Sequence, residues 1–428
     1  MSTIRALGEQ TFASLYLRNY RLYFIGQGLS DIGTWMQVVG IGWLVLELTG
    51  SGVALGTLLA FRFAPMLALG LLAGGIVDTF DKRTLLFATQ SIALVLSALL
   101  GALVLTGVIE MWMVFLIALL LGIADSVDRP TRQTFIHEIV GPENLRNAVS
   151  LGSARANLAR AIGPLFAGAL IAGVGIAACF FGNAISYLAA IICLARIRPE
   201  EIHREEREER KAEGVFAGLR YAANTPLILT VLLAMALIGT FTYEFQTTLP
   251  LFARVTFLGD AADYAALLSA MGVGSVAGGL FSASRKEVGT HELVVFAFLF
   301  GVSIVAVALM PSLGYAIIGM VFAGFFSVTM SSIGNTIIQL ESASHMRGRV
   351  MALWSMANFG STLVGAPIVG AVGDHISPRV ALLLGGVAAI IAAAFAAHRL
   401  LKTNEFFSIP SFIFIRREEQ TAEEGTKV

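Results

Sequence analysis

The sequence predicts an all-α membrane protein whose twelve transmembrane helices form two related bundles of six. Three observations carry this. Of the 428 residues, 56% are hydrophobic and only 14% charged, where soluble domains hold roughly a quarter charged. Twelve stretches reach the about 20 mostly apolar residues needed to cross a hydrocarbon core of ~30 Å. Segments of the first half also recur in the second at a fixed offset.

The expected spans are 22–47, 53–76, 84–106, 111–129, 148–173 and 176–196, then 227–252, 262–283, 291–310, 313–338, 350–373 and 378–400. The start, MSTIRALGEQTFASLYLRNYRLYF, is basic and lacks a cleavable signal pattern, so it is expected to stay attached to the first span. Between the sixth and seventh spans lies the long charged run EEIHREEREERKAEG from Glu200, whose mixed signs read as a solvated helix. GVFAGLRYAANTP follows, an amphipathic stretch stopped by Pro226, and beyond Lys402 the chain turns apolar and then basic, as an interfacial tail would. The expected division is therefore a six-helix bundle over 1–198, a cytoplasmic linker over 199–226, a second bundle over 227–401 and a cytoplasmic tail over 402–428.

Orientation follows from the basic residues. Only Arg254 and Arg379 fall in loops on the side away from the termini, and Arg62, Arg155 and Arg160 fall inside spans; the other 24 of the 29 Lys and Arg lie on the side of the termini. Both ends are expected in the cytoplasm.

The repeat relates the two bundles. LRNAVSLGSARANLARAIGPLFAGALI from Leu145 aligns with MRGRVMALWSMANFGSTLVGAPIVGAV from Met346, an offset of 201 that pairs Arg146 with Arg347, Val149 with Val350 and Asn157 with Asn358. GGIVDTFDKR from Gly74 likewise aligns with GGLFSASRKE from Gly278. Two parallel repeats of six spans are a transporter architecture.

Other functions find no support. The net charge of zero, from 29 basic and 29 acidic residues, argues against nucleic acid as a partner. No phosphate-binding loop, clustered metal ligands or Ser/His/Asp set is visible, so neither a cofactor nor enzyme chemistry is expected. Gly272-Val273-Gly274 lies in an apolar span and reads as packing. Cys179 and Cys193 sit on one span, roughly 21 Å apart along a helix, too far to bridge.

Motifs narrow the reading. Gly74-Gly75-Ile76-Val77-Asp78-Thr79-Phe80-Asp81-Lys82-Arg83 resembles the loop between the second and third helices of the major facilitator superfamily, although Asp81 and Thr79 depart from its usual Gly and basic residue. The Gly permits close helix approach, and Asp78 can cap a facing helix or pair with an Arg. The second copy has Ser282 in place of the Asp. DRPTRQTFIHEIVGPENLRNAV from Asp128, FGNAISYLAAI from Phe181, GLRYAANTP from Gly218 and NYRLYFIGQGLSDIGTWMQVVGIGWLVLELTGS from Asn19 resemble the bacterial branch that holds the enterobactin exporter and macrolide-efflux proteins. This resemblance implies export of a small organic molecule, a drug or siderophore-like cargo, by alternating access in exchange for protons. It implies a monomer in the bacterial inner membrane. Gly163-Pro164-Leu165-Phe166-Ala167-Gly168 resembles the Gly-Pro motif of antiporters, with Gly163, Pro164 and Gly168 the matching positions. The arginine motif that other drug–proton antiporters carry on the fourth helix is not visible. Other readings of the same fold are a receptor or scaffold without transport, and a lysolipid transporter.

Ionisable residues inside a span are functional candidates by default. Asp31 lies near mid-depth of the first span, with Gln27, Thr34, Trp35 and Val38 on the same side. It is a substrate or proton site, or a member of a structural ion pair. The fifth span carries Arg155, Asn157 and Arg160; Asn157 shares a face with Arg160, while Arg155 points about 140° away. With Arg62 in the second span, three guanidiniums outnumber the obvious carboxylates of the first half. Either an anionic cargo completes the charge, as bidentate Arg recognition of carboxylate or catecholate oxygens would, or Asp125 and backbone carbonyls do. In the seventh span Glu244 sits among Thr240, Tyr243, Gln246 and Thr247, either as a proton carrier or as a hydrated group at the outer rim. Thr329, Ser331, Ser332, Asn335 and Asn358 line a cavity or satisfy helix contacts. Asp125, Asp128 and Arg129 near the Asp78 loop suggest an inner gate, which Gly74, Asp78, Lys82, Arg83, Asp125 and Arg129 would form, with Asp78–Arg129 the pair to test.

Overall fold

The structure, a computed structural model, describes residues 12–203, 215–285 and 288–407, apart from the side chains of 70–74, 78, 215–216 and 359. The run 204–214 and the tail past 407 lie outside the described residues, as do the Gly74 and Asp78 side chains of the expected gate.

In the first half α1 is Arg18–Thr49, α2 Gly52–Thr79, α3 Lys82–Leu105 and α6 Ala177–Ala195. Between α3 and α6, Met111–Gly173 is one helical run of 63 residues. Straight, it would measure ~95 Å, about three times the hydrocarbon core. It breaks at Gly141, whose φ of 68° and ψ of 172° suit a residue without a Cβ. The run is thus two crossings, α4 (111–140) and α5 (142–173). The polar connection expected between Arg129 and Ala148 is therefore mostly helix. Phe135, Ile139 and Val140 form an apolar face that packs on Tyr20, Tyr23 and Leu86, so α4 continues past the bilayer because that face is buried.

In the second half a short surface helix, Val215–Asn224, precedes α7, which runs Pro226–Phe241 and resumes as Phe245–Leu251 before a π turn at Phe252–Thr256. Then come α8 Ala261–Ser284, α9 Thr290–Leu309, α10 Leu313–Glu341, α11 and α12 Pro378–Lys402. The pieces of α11 are Arg347–Ser355, a π turn Met356–Gly360 and Thr362–His375. Two spans expected to be continuous are thus interrupted. Backbone groups freed inside a bilayer must find partners. Where α7 breaks, Thr242 N and Tyr243 N both donate to Ile238 O, at 2.8 and 3.1 Å, and the Thr242 hydroxyl ties the break to Gly385 O of α12 at 2.7 Å. At the π turn of α11, a Cβ on Gly239 of α7 would stand 2.3 Å from Ala357 O, so the two irregular segments pack directly together.

The packing repeats across the halves. α1 lies on α6 and α2 on α4, as α7 lies on α12 and α8 on α10; the seams between halves are α2–α11 and α5–α8. With an even number of crossings the first and last described residues lie on one side. On the far side the seams are closed. A Cβ on Gly56 would come within 2.2 Å of Ala366 O, and one on Gly370 within 2.1 Å of Gly52 O, the backbone proximity that small residues give membrane helices. Towards the termini, a Cβ on Gly75, Gly152 or Gly348 of α2, α5 and α11 meets nothing within 4 Å.

A candidate substrate cavity between the halves

A cavity of about 320 Å³ lies between the two halves. The first half contributes Trp35, Phe63, Arg129 and Arg160, and the second Tyr243, Glu244 and Phe245, with polar groups from α10 and α11 that include Ser327, Ser331, Asn358 and Thr362.

Arg160 rests with its guanidinium carbon 5.1 Å from the centre of the Trp35 ring. Its Nε is sealed from solvent without a hydrogen-bond partner, and among the described residues no carboxylate pairs with it. One turn along α5, Gly163 brings the two helices together: a Cβ there would stand 2.5 Å from Trp35 Cβ and 2.9 Å from Ile32 O. The other expected motif glycine, Gly168, faces α8, where a Cβ would lie 3.0 Å from Ala265 Cβ. Pro164, between them, is buried within the helix.

Glu244 lies where α7 breaks and is 1% exposed, so the outer-rim alternative does not describe its place. Its backbone carbonyl accepts from Thr247 N and Thr248 N at 3.0 and 2.9 Å. Its two carboxylate oxygens are buried, with the Thr362 hydroxyl beside them and no cation among the described residues. Arg160 and Glu244 thus line one cavity and do not pair.

The other candidate charges sit elsewhere. Asp31 is not on the cavity wall. Its carboxylate lies 3.4 Å from Arg155 Nη2 and 3.6 Å from Arg132 Nη1 and accepts from Gln27 Nε2 at 2.9 Å. Arg132 also pairs with Asp128, which accepts from Thr89 and Gln90 at 2.7 and 3.1 Å. Arg62 pairs with Asp125 at 2.7 Å and lines an adjoining, mainly apolar pocket of about 60 Å³ with Thr34, Asn183, Tyr187 and Gln246. Asn157 donates to Ser153 O at 3.0 Å and faces Gly279 of α8 rather than the cavity.

The expected gate residues bond mainly within their own half. Lys82 pairs with Glu138 at 2.9 Å. Arg83 donates to Leu194 O and Ala195 O at the C-terminus of α6, at 3.2 and 3.0 Å, where a cation suits the helix dipole. Arg129 approaches Asp125 at 3.8 Å. On α10, Ser331 reaches the cavity but Thr329 turns to Gly278 O of α8, at 3.4 Å, and Asn335 accepts from Gln339.

One functional cluster was not anticipated. At the far side Asp374 of α11 accepts from the Ser51 hydroxyl at 2.7 Å, Gly52 N at 2.5 Å and Val53 N at 2.9 Å. Arg254, beyond α7, donates to Leu46 O in the last turn of α1 and lies over Trp43. The second half thereby caps both helix ends that flank the first far-side loop. Ser51-Gly52 was readable as a helix start, but nothing local names a partner more than 300 residues away.

Comparison with known proteins agrees with this arrangement. A family model described as transmembrane secretion effector matches residues 9–419. The chain is 25% identical to the staphyloferrin A transporter of Staphylococcus aureus over 342 residues, which span 78% of this chain and 85% of the relative. It is 24% identical to the multidrug efflux pump Tap of Mycolicibacterium fortuitum, over 84% of this chain and 91% of that one. With the enterobactin exporter EntS of Shigella boydii it shares 22% identity over 91% and 94% of the two chains. Among solved structures, a bacterial homologue of the human lysosomal transporter Spinster, inward-facing and unoccupied, superposes with a TM-score of 0.70 at 16% identity, covering 90% of this chain and 97% of that one. Eleven long apolar helices among the described residues, twelve crossings once the run broken at Gly141 is divided, seams that repeat across two halves and a family match over nearly the whole length lead to one conclusion: this multi-pass membrane protein belongs to the major facilitator superfamily of transporters, in its transmembrane secretion effector family.

Proposed function

We propose that this protein exports a small organic molecule bearing an anionic group from the cytoplasm, by alternating access in exchange for protons, across a bacterial inner membrane. The observation that carries this reading is Arg160, a guanidinium on the cavity wall that stacks on Trp35 and has no carboxylate partner. A charge so placed is costly unless something pairs with it. An anion arriving from the termini side supplies the partner, and the fork of the guanidinium suits carboxylate or catecholate oxygens. Relatives named for staphyloferrin A, for enterobactin and for multidrug efflux support a cargo of siderophore or drug type.

Glu244, buried on the same wall, is the carboxylate we assign to proton coupling. Asp31 is already engaged by two arginines and is assigned to holding α1, α4 and α5 together. The basic bias towards the termini supports a cytoplasmic location for that side. Closure at the far side then corresponds to an inward-open state, with the α2–α11 and α5–α8 seams parting in the other half of the cycle.

The test is flux in proteoliposomes, with 2,3-dihydroxybenzoate as the anionic probe. Wild-type protein should move it down its own concentration gradient. Arg160→Gln, checked for a monodisperse elution profile and an unchanged unfolding temperature, should move little or none. Equal flux through folded Arg160→Gln protein would overturn the assignment. Growth of a deletion strain against antibiotics and siderophore accumulation then identifies the natural cargo.

A further inference from the structure

Among the described residues the cavity is lined by two groups of opposite sign that have no counter-charge, and only one of them is answered by an anion. Arg160 comes from the first half and Glu244 from the second. The buried Glu244 carboxylate has the Thr362 hydroxyl beside it but no cation, and among the described residues no salt bridge joins Glu244 to Arg160 although they share the cavity. Leaving a buried charge unpaired costs several kcal/mol; Glu244 escapes that cost by holding a proton, whereas Arg160 keeps its charge and marks a place for an anion.

An anion alone fits this pair poorly for exchange. Filling the Arg160 site with negative charge makes a second negative charge at Glu244 less favourable, so it draws a proton onto Glu244 instead of displacing one. Exchange needs the opposite, cargo and proton competing for one group. A positive group on the cargo provides that competition.

Resting on the reading of Arg160 above, we propose that the cargo is amphoteric, an aromatic or polar molecule with an anionic group that binds Arg160 and an ammonium or similar cation that binds Glu244. The cargo's cation and a proton then take turns on Glu244. No bond is made or broken in this exchange: the proton leaves the carboxylate for water as the ammonium arrives.

The remaining wall agrees with an amphoteric guest. Trp35 lies against the guanidinium, and the half that carries Glu244 adds hydroxyl and amide groups of Ser327, Ser331, Asn358 and Thr362 beside apolar Phe245, Leu268 and Met271. Among the described residues α1, α2, α8, α10 and α11 present no ionisable side chain to this cavity. α4 presents Arg129, α5 Arg160 and α7 Tyr243 beside Glu244, with Arg62 in the adjoining pocket. Among the described residues the only carboxylate on the wall is therefore Glu244.

Calorimetric titration of the purified protein with a matched probe series tests this. 4-(Aminomethyl)benzoate, 4-(2-aminoethyl)benzoate and 4-(3-aminopropyl)benzoate carry both charges at increasing separation; their N-acetyl forms keep only the anion and their methyl esters only the cation. At least one free amine should bind about tenfold tighter than its N-acetyl form, the size of one charge-assisted hydrogen bond of ~1.4 kcal/mol. Heats measured in buffers of different ionisation enthalpy should show proton release with the amine and none with the acetylated probe. This comparison uses unmodified protein, so it does not depend on any variant folding. Glu244→Gln should erase the advantage of the amine while leaving acetylated probes unchanged, and Arg160→Gln should weaken both. Equal affinity for free and acetylated probes overturns the amphoteric cargo but leaves the anion site standing. Acetylated probes that bind regardless of Arg160→Gln overturn the anion site itself. If no member of the series binds, the proposal also fails.

Discussion

The Asp374 carboxylate accepts the Ser51 hydroxyl at 2.7 Å, so a side chain of the second half closes the first turn of a helix in the first. The same carboxylate takes the free N–H groups of Gly52 and Val53, where the positive end of the helix dipole favours an anion. Around this contact the α2 and α11 backbones touch through Gly52, Gly56 and Gly370. The clamp must break whenever the far side opens.

Asp374→Asn should therefore favour far-side opening. Replacing the charged acceptor weakens the cap by about 1–2 kcal/mol, roughly a tenfold change in the ratio of states. Spin labels at Val108 and Leu258, exposed in far-side loops of opposite halves, should show a larger population at long distance. An unchanged distance distribution would mean that the clamp does not hold the closed state.

Gly163→Val should disable anion binding without touching a charge. The added side chain would drive into Trp35 Cβ and Ile32 O and separate α5 from the ring that Arg160 stacks on. Overpacking of this kind costs about 1–3 kcal/mol, so the unfolding temperature falls, and affinity for an anionic probe falls with it by about tenfold. Retained affinity in the folded variant would show that the close approach of α5 and α1 is irrelevant to Arg160.

Asp31→Asn should act on stability more than on binding. It leaves Arg155 and Arg132 short of a counter-charge in a partly buried cluster, a loss of about 1–3 kcal/mol. Denaturation in detergent should occur at lower temperature, while the affinity of an Arg160-dependent probe stays within about twofold. The reverse pattern would move Asp31 into the transport site.

Glu244→Gln should uncouple transport from the proton gradient. Wild-type protein should accelerate export of an amphoteric probe when a proton gradient opposes it, whereas the variant should carry the probe only down its own gradient, at a rate indifferent to pH across the membrane. Proton-driven accumulation that persists in Glu244→Gln vesicles assigns coupling to another group.

The features readable along the chain were those with a local or periodic cause. Twelve crossings follow from the length and polarity of apolar runs, and the two-half architecture from residues such as Asn157 and Asn358 recurring at one offset. The separate orientations of Arg155 and Arg160 also follow from helical geometry alone: one meets Asp31 and the other Trp35. Helical register also named Glu244 and Ser331, both of which reach the cavity.

Tertiary structure decided which charges found partners. Asp31 and Asp128 are drawn together by Arg132, a residue on a helical extension that hydropathy reads as a loop because its burial comes from contacts with α1 and α3. Thr329 and Ser331, two residues apart, part company because the close approach of α8 takes one and the cavity the other. The breaks in α7 and α11 form where two helices press together, and the Asp374–Ser51 clamp joins positions 323 residues apart. Sequence determines which groups cannot rest in lipid, because that cost belongs to each residue; the fold decides where each is satisfied, because a partner is a matter of distance. Arg160 and Glu244 are the pair that the fold leaves facing a cavity.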